Sequence, residues 1–207
     1  MSQYFTLHPV NPPLRLIRRA VEILHGGGVV VYPTDSCYAL GCLVGDKDAM
    51  ERIRRIRGAG KDHNFTLVCR DLSEIAVYAR VDNPTFRLLK AYTPGPYTFI
   101  LPATREVPRR LQHPKRKTIG IRVPVHAVPH ALLTELGEPL MSSTLMLPGD
   151  EVPLTDPEEM RARLEHQVEL VMDGGPCGIE PTTVVDLSGE TPRVIRAGRG
   201  DPTPFGG

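Results

Sequence analysis

GGVVVYPTDSCYALG, residues 27–41, is the stretch from which the fold can be read. Val29–Tyr32 is an unbroken run of β-branched and aromatic residues, the pattern of a strand buried on both faces. Pro33 stops it, because proline cannot donate to a sheet ladder. Thr34, Asp35 and Ser36 follow at once, two hydroxyls and a carboxylate just past a strand end, where open α/β sheets bind ligands. The same three residues equally suit a turn in which short polar side chains bond their own backbone. On the upstream side, residues 13–25 (PLRLIRRAVEILH) place Leu14, Ile17, Val21 and Leu24 at the spacing of an amphipathic helix. Pro13 suits its first turn, and Gly26-Gly27-Gly28 suits its exit. Downstream, residues 47–57 (KDAMERIRRIR) predict a second helix with Met50, Ile53 and Ile56 on one face and Arg52, Arg54, Arg55 and Arg57 on the other.

The alternation continues to the end of the chain. Strands are expected at Phe65–Cys69, Thr98–Leu101, Thr118–Val123, Leu140–Leu145, Val168–Met172, Thr183–Asp186 and Arg193–Arg196. Helices are expected at Pro84–Ala91, Ala127–Leu136 and, short and acidic, at 157–166. This is an α/β pattern. Several strands lie too close together for an intervening helix, so the sheet should be mixed rather than purely parallel. No repeat or low-complexity linker interrupts the 207 residues, and 1–207 reads as a single domain.

Composition excludes several classes. Hydrophobic residues make up 41% and charged residues 24%, ordinary for a globular chain and unlike a disordered one. The apolar runs are far shorter than a membrane span, and the start MSQYFTLHP does not read as a secretory signal, so a cytoplasmic location is expected. The net charge of +1 hides an asymmetry. Residues 1–122 carry 20 Lys and Arg against 10 Asp and Glu, whereas 123–207 carry 5 against 14. A basic half of this kind points to an anionic partner. The four cysteines form no C-x-x-C pair or zinc-finger spacing. Cys42 and Cys69 suit the core, and Cys37 reads as structural rather than reactive, since no His or Asp is placed to activate it.

Two basic stretches carry that asymmetry. Residues 52–61 hold Arg52, Arg54, Arg55, Arg57 and Lys61 around Gly58-Ala59-Gly60, a combination that either wraps phosphate or serves as a solvated helix face. Residues 104–122 (TREVPRRLQHPKRKTIGIR) include Arg109, Arg110, Lys115, Arg116 and Lys117, a run basic enough to grip RNA or several phosphates. Aromatics for base stacking are missing from it, which leaves backbone-type contacts. Ser142-Ser143-Thr144, Gly174-Gly175-Pro176 with Pro181-Thr182-Thr183, and Arg196-Ala197-Gly198-Arg199 put hydroxyls or guanidinium groups at further strand ends.

Taken in order, GGVVVYPTDSCYALG (27–41), the basic stretch before FTLVC (65–69), PGPYTFIL (94–101), TIGIRVPVH (118–126), PLMSSTLMLPG (139–149), GGPCGIEPTTVVDL (174–187) and VIRAG (194–198) resemble the YrdC/YciO family over about residues 14–200. HNFTLVCRDL, RRLQHPKRKTIGIRVP and STLMLPGD resemble its YciO branch in particular. The resemblance implies a YrdC-like (YrdC/RibB) twisted mixed sheet flanked by helices around a large, positively charged cavity. The family's threonylcarbamoyl-AMP synthases combine L-threonine, bicarbonate and ATP on the way to the t6A modification of tRNA. Carried over residue by residue, Thr34, Thr118, Arg122, Ser143 and Thr182 would form the amino-acid or carboxylate pocket. Arg57, Lys61, Thr144 and Arg196 would hold nucleotide and phosphate. Mg²⁺ would arrive with ATP if the chain is synthase-like, since no ligand cluster for a resident metal or other cofactor is visible.

The chain departs from the family on the nucleotide side. Arg57-Gly58-Ala59 stands where the family has Lys-x-Arg, and Thr144-Leu145-Met146 where it has Ser-Ala-Asn. Two of four polar contacts are thereby absent, each worth roughly 1–3 kcal/mol when buried. The leading expectation is a cavity that binds nucleotide, a carboxylated small molecule or RNA, with weak or altered threonylcarbamoyl-adenylate synthase activity. Two alternatives stand beside it: a binder of double-stranded or structured RNA (tRNA among them) without catalysis, and a full synthase.

Overall fold

The computed structural model describes residues 1–60 and 63–206. Its strands are β1 (Gln3–Thr6), β2 (Val30–Tyr32), β3 (Ala39–Leu43), β4 (Thr66–Val68), β5 (Tyr97–Pro102), β6 (Thr118–Arg122), β7 (Leu140–Thr144), β8 (Leu170–Asp173), β9 (Thr183–Asp186) and β10 (Arg193–Arg196). Its helices are α1 (Leu14–His25), α2 (Lys47–Arg57), α3 (Leu72–Tyr78), α4 (Asn83–Tyr92), α5 (Ala127–Leu136) and α6 (Pro157–Leu164), with 3₁₀ turns at Arg109–Leu111 and Thr203–Phe205. The strands form one sheet in the order β1-β8-β2-β3-β7-β4-β6-β5-β9-β10. Pairing is mixed. β1 and β2 flank β8 in parallel, and the β4–β6 and β5–β9 pairs are also parallel. The β2–β3, β3–β7, β4–β7, β5–β6 and β9–β10 pairs are antiparallel.

Each face has its own core. On one face Met50, Ile53 and Ile56 of α2 pack with Ile75, Leu89, Met160 and Leu164 of α3, α4 and α6 against Val31, Leu67, Phe99 and Ile121. On the other, Ile17, Val21 and Leu24 of α1 join Val128, Leu132 and Leu136 of α5 over Val30, Tyr32, Val68 and Leu140. The division follows from strand pleating, which sends neighbouring side chains to opposite faces. The α1–α5 cover does not extend along the whole of its face. Beyond Val68 and Leu140 that face continues over β4, β6, β5 and β9 with Thr66, Gly120, Ile100, Thr98 and Val184, and no helix among the described residues packs on it. The buried helices thus cover half a face and leave a polar half for a site.

Local chemistry explains the helix ends. The Asp46 carboxylate accepts from the Ala49 N–H at 2.9 Å and caps α2. Gly58 ends α2 at φ 59°, a left-handed value that glycine alone adopts without penalty. Leu14 differs from its expected place on the packed face of α1. It is 50% exposed, while Ala20 takes part in the buried stripe. The strands β1 and β3 and helix α3 lie outside the expected set. β1 is a four-residue edge strand that parallel β8 holds in place. α3 is a seven-residue helix started by Asp71, which accepts from the Glu74 N–H at 3.0 Å. No helix among the described residues is long and apolar enough to cross a membrane.

Candidate functional site

The open half-face is the floor of a cavity of about 360 Å³, within the ~300–1,000 Å³ usual for small-molecule sites and near its lower end. Register builds it. Ser142 on β7 pairs with Thr66 on β4, Thr66 with Gly120 on β6, and Gly120 with Ile100 on β5, so one row crosses the sheet in which the first three positions are small or polar. In β6 the apolar Ile119 and Ile121 point to the α2 core, whereas Thr118, Gly120 and Arg122 take the cavity side. Thr182, Arg196, the Ser36–Cys37 turn and the segment His63–Phe65 complete the walls.

Arg122, at the end of β6, is 8% exposed. One Nη donates to the Asp35 carboxylate and the other to Ser36 Oγ at 3.2 Å, while Nε is buried without a partner. The second Asp35 oxygen accepts from the Val125 N–H at 3.0 Å. The polar turn after β2 is therefore tied to the loop after β6. Arg196 donates to the Thr182 carbonyl at 2.9 Å, and the Thr182 and Thr98 hydroxyls are 2.8 Å apart. Arg57 donates to the Thr144 carbonyl, and its Nε is also buried without a partner. Burial pulls both Arg57 and Arg196 below the ordinary guanidinium value, though arginine stays cationic. His63 Nε2 lies 2.8 Å from Ser143 Oγ. Burial first, then the charges of Arg57 and Arg54, lower its pKa to about 4, so His63 is neutral at physiological pH.

The family model described as "Telomere recombination" and named for Sua5, YciO and YrdC matches residues 22–198 of this chain. The chain belongs to the Sua5/YciO/YrdC family. YciO of Escherichia coli K12 is 60% identical over 205 residues, which span 99% of this chain and 100% of that one. Its crystal structure superposes with a TM-score of 0.95 over 99% of this chain and 100% of that one. The threonylcarbamoyl-AMP synthase of Chromobacterium violaceum is 34% identical over 191 residues, 91% of this chain and 96% of the relative. P. abyssi Sua5, solved in complex with L-threonine, shares the fold at a TM-score of 0.87 and 24% identity, over 95% of this chain and 58% of that one.

Within this Sua5/YciO/YrdC fold, Arg57, Thr118, Arg122, Ser143, Thr144, Thr182 and Arg196 all line the one cavity. Thr34 is beside it rather than in its lining. Its hydroxyl donates to the Cys37 carbonyl at 2.6 Å and accepts from the Ser36 N–H at 3.1 Å, which shapes the turn that presents Ser36. Lys61 lies outside the described residues. The basic run 109–117 divides. Arg116 reaches the cavity and pairs with Asp186 at 2.8 Å, and hydrogen bonds from Ser188 and Arg116 hold that aspartate low against its burial. Arg109, Lys115 and Lys117 are exposed outside it, and Arg110 donates to the Gly45 carbonyl. Cys37 is buried and its thiol is pushed up by that burial, in keeping with a structural role. His63, Asn64 and Thr98 line the cavity without having stood out in the sequence.

Proposed function

We propose that this cavity binds the adenylate of a carboxylated amino acid, of the threonylcarbamoyl-AMP class, and forms it from ATP only weakly. The carrying observation is Arg122, a buried guanidinium with an unpartnered Nε, sharing one cavity with Thr118, Ser143, Thr182, Arg57 and Arg196. Arg122 would hold the carboxylate through its Nε–H, the donor that its contacts with Asp35 and Ser36 leave open. Thr118, Ser143 and Thr182 would orient the amino acid, with Thr34 holding the turn beside them. Arg57, Thr144 and Arg196 would face the nucleotide. With four arginines and no Asp or Glu among its described lining residues, the cavity is read as positively charged. Catalysis would rest on positioning and on stabilising charge that develops on the α-phosphate. Mg²⁺ would enter with ATP. The names of the relatives support the ligand class: the C. violaceum protein is a threonylcarbamoyl-AMP synthase, and P. abyssi Sua5 was solved with L-threonine. Ala59 and Met146 stand where the family's Arg and Asn would supply polar contacts. Incubation with ATP, L-threonine and bicarbonate should therefore release pyrophosphate about 100-fold more slowly than a full synthase does. No threonylcarbamoyl-AMP above background would remove the synthase half of the reading.

A second reading, binding of structured RNA, is favoured by one observation. Arg105, Arg109, Lys115 and Lys117 are exposed outside the cavity, and none takes part in an ion pair among the described residues. Changing Arg109, Lys115 and Lys117 to Gln should flatten the salt dependence of RNA binding by about 0.9 in the log–log slope for each phosphate no longer neutralised. An unchanged slope in a filter-binding series would sink this reading.

A further inference from the structure

β5 and β6 are antiparallel neighbours with Pro102 opposite Thr118, so a turn of about two residues could join them. Residues 103–117 intervene instead, and ordered connections of that length usually serve a function. This one is braced throughout. Val107 and Leu111 anchor it in the core. The Ala103 N–H donates to the Lys117 carbonyl at 3.0 Å and closes its base, and the Gln112 side chain donates to the Val107 carbonyl at 2.8 Å. His113 Nδ1 accepts from the N–H groups of Lys115 and Arg116 at 3.3 and 3.1 Å, which leaves the ring proton on Nε2. Lys117 sits at φ 53°, a left-handed value uncommon for a residue other than glycine. The end of α3 is tied to the same loop, with Arg80 N–H donating to the Pro102 carbonyl at 2.8 Å and Thr104 N–H to the Tyr78 carbonyl at 2.9 Å.

The braced loop borders an open pocket of about 610 Å³. Arg80 lines it from the end of α3, Arg105 and Arg109 from the outgoing limb of the loop, and Arg116 and Lys117 from the returning limb. No Asp or Glu is among the described residues that line it. Arg116 is paired with Asp186 at 2.8 Å. Arg80, Arg105, Arg109 and Lys117 have no carboxylate partner among the described residues, and none of the four lines the cavity assigned to the adenylate. Four like charges gathered without an acid repel one another, and the braced backbone holds them together at that cost. A phosphate group carries about −1.5 to −2 charges at neutral pH, so two or three linked phosphates match four cations. An RNA strand spaces its charges along a line, whereas these cations converge on one concavity from three segments.

We infer that this pocket is a binding site for a compact polyphosphate anion of two or three linked phosphates. The site goes beyond the adenylate reading and does not depend on it. Arg80 is its signature residue, because it stands apart from the basic run in sequence and joins it only through the fold.

The test is calorimetric titration with tripolyphosphate and, separately, inorganic phosphate, at low ionic strength and without magnesium. The unmodified chain should bind tripolyphosphate at least about tenfold more tightly than phosphate. Arg80→Gln and Arg105→Gln, both at exposed positions, should each weaken tripolyphosphate by about fivefold. Lys115→Gln, exposed but outside the lining, should change it by less than about twofold. Arg196→Gln, which removes a cation from the adenylate cavity, should likewise leave it unchanged. Equal affinity of the unmodified chain for tripolyphosphate and phosphate would overturn the inference, and so would binding of neither; that comparison needs no variant to fold. Equal losses from Arg80→Gln and Lys115→Gln would also overturn it, and would assign the basic loop to an extended polyanion such as RNA. A loss confined to Arg196→Gln would move the anion into the cavity and overturn it as well.

Discussion

Replacing Arg122 by Met lowers the thermal midpoint by about 10 °C, and adding Asp35→Asn recovers most of the loss. The two side chains are each only 10% exposed, and they hold each other across 87 residues of sequence. Removing the guanidinium leaves a buried carboxylate with one backbone donor, Val125 N–H, as its remaining partner. Breaking a buried pair from one side costs ~3–5 kcal/mol, because a desolvated charge is left behind. For a chain of this size ~1 kcal/mol moves the midpoint by about 2–4 °C. Asn at position 35 removes the charge but can still accept from Val125 N–H. The double variant should therefore be more stable than Arg122→Met alone, with a coupling energy well above zero. Ligand binding should separate from stability: the double variant folds but does not regain affinity for a carboxylate. Strictly additive losses in a denaturation cycle would show that the pair is not coupled.

Gly198→Ala should destabilise the chain by about 3 kcal/mol, at the upper end for forced overpacking, and abolish binding in the cavity. A Cβ there would collide with the Pro181 carbonyl oxygen and lie 2.8 Å from the Thr182 carbonyl. Both obstacles are backbone, so neither can swing aside. The clash falls where the segment after β10 closes on the start of β9, held by Gly198 N–H to Thr183 Oγ1 at 2.9 Å and Arg199 N–H to the Pro181 carbonyl at 2.9 Å. Relief requires the two segments to part, which separates Arg196 from the Thr182 carbonyl. Gly60→Ala is the matched control, because a Cβ there meets nothing within 4 Å. If urea midpoints of the two variants fall together, the close approach at Gly198 is not what demands glycine.

Much of this architecture was legible from residue patterns. The β2 run and the Met50–Ile53–Ile56 face of α2 follow from apolar patterning, which burial enforces, the end of β2 from its proline, and the mixed sheet from connections too short to hold a helix. Where the pattern was weak, so was the reading. β3 (ALGCL) carries two small residues and a glycine and offers no alternation, yet β2 and β7 hold it from both sides. α3 is too short to show a helical stripe. Most of the site residues were recognisable as strand-end polar groups, and β6 even displays the site in its period: Ile119 and Ile121 inward to the core, Thr118, Gly120 and Arg122 toward the cavity. His63 was not recognisable, because nothing local distinguishes a histidine before a strand from a solvated one. Its proximity to Ser143, eighty residues away, is a product of the fold. The Asp35 partnership with Arg122 is of the same kind. Both residues were visible as polar groups, and only the sheet order shows that one answers the other.

The strand β10 closes the sheet at one end, and it also supplies Ile195 and Arg196 to the cavity wall. An exposed edge strand invites pairing with another chain, and charged side chains discourage it. β10 has arginines at both ends, with Arg193 reaching toward Asp186 at 3.7 Å. The strand whose arginines would discourage such pairing is thus the strand that would grip the ligand. Substitutions that remove its charge would be expected to trade affinity and solubility together, and a ligand seated against Arg196 would stiffen this edge of the sheet.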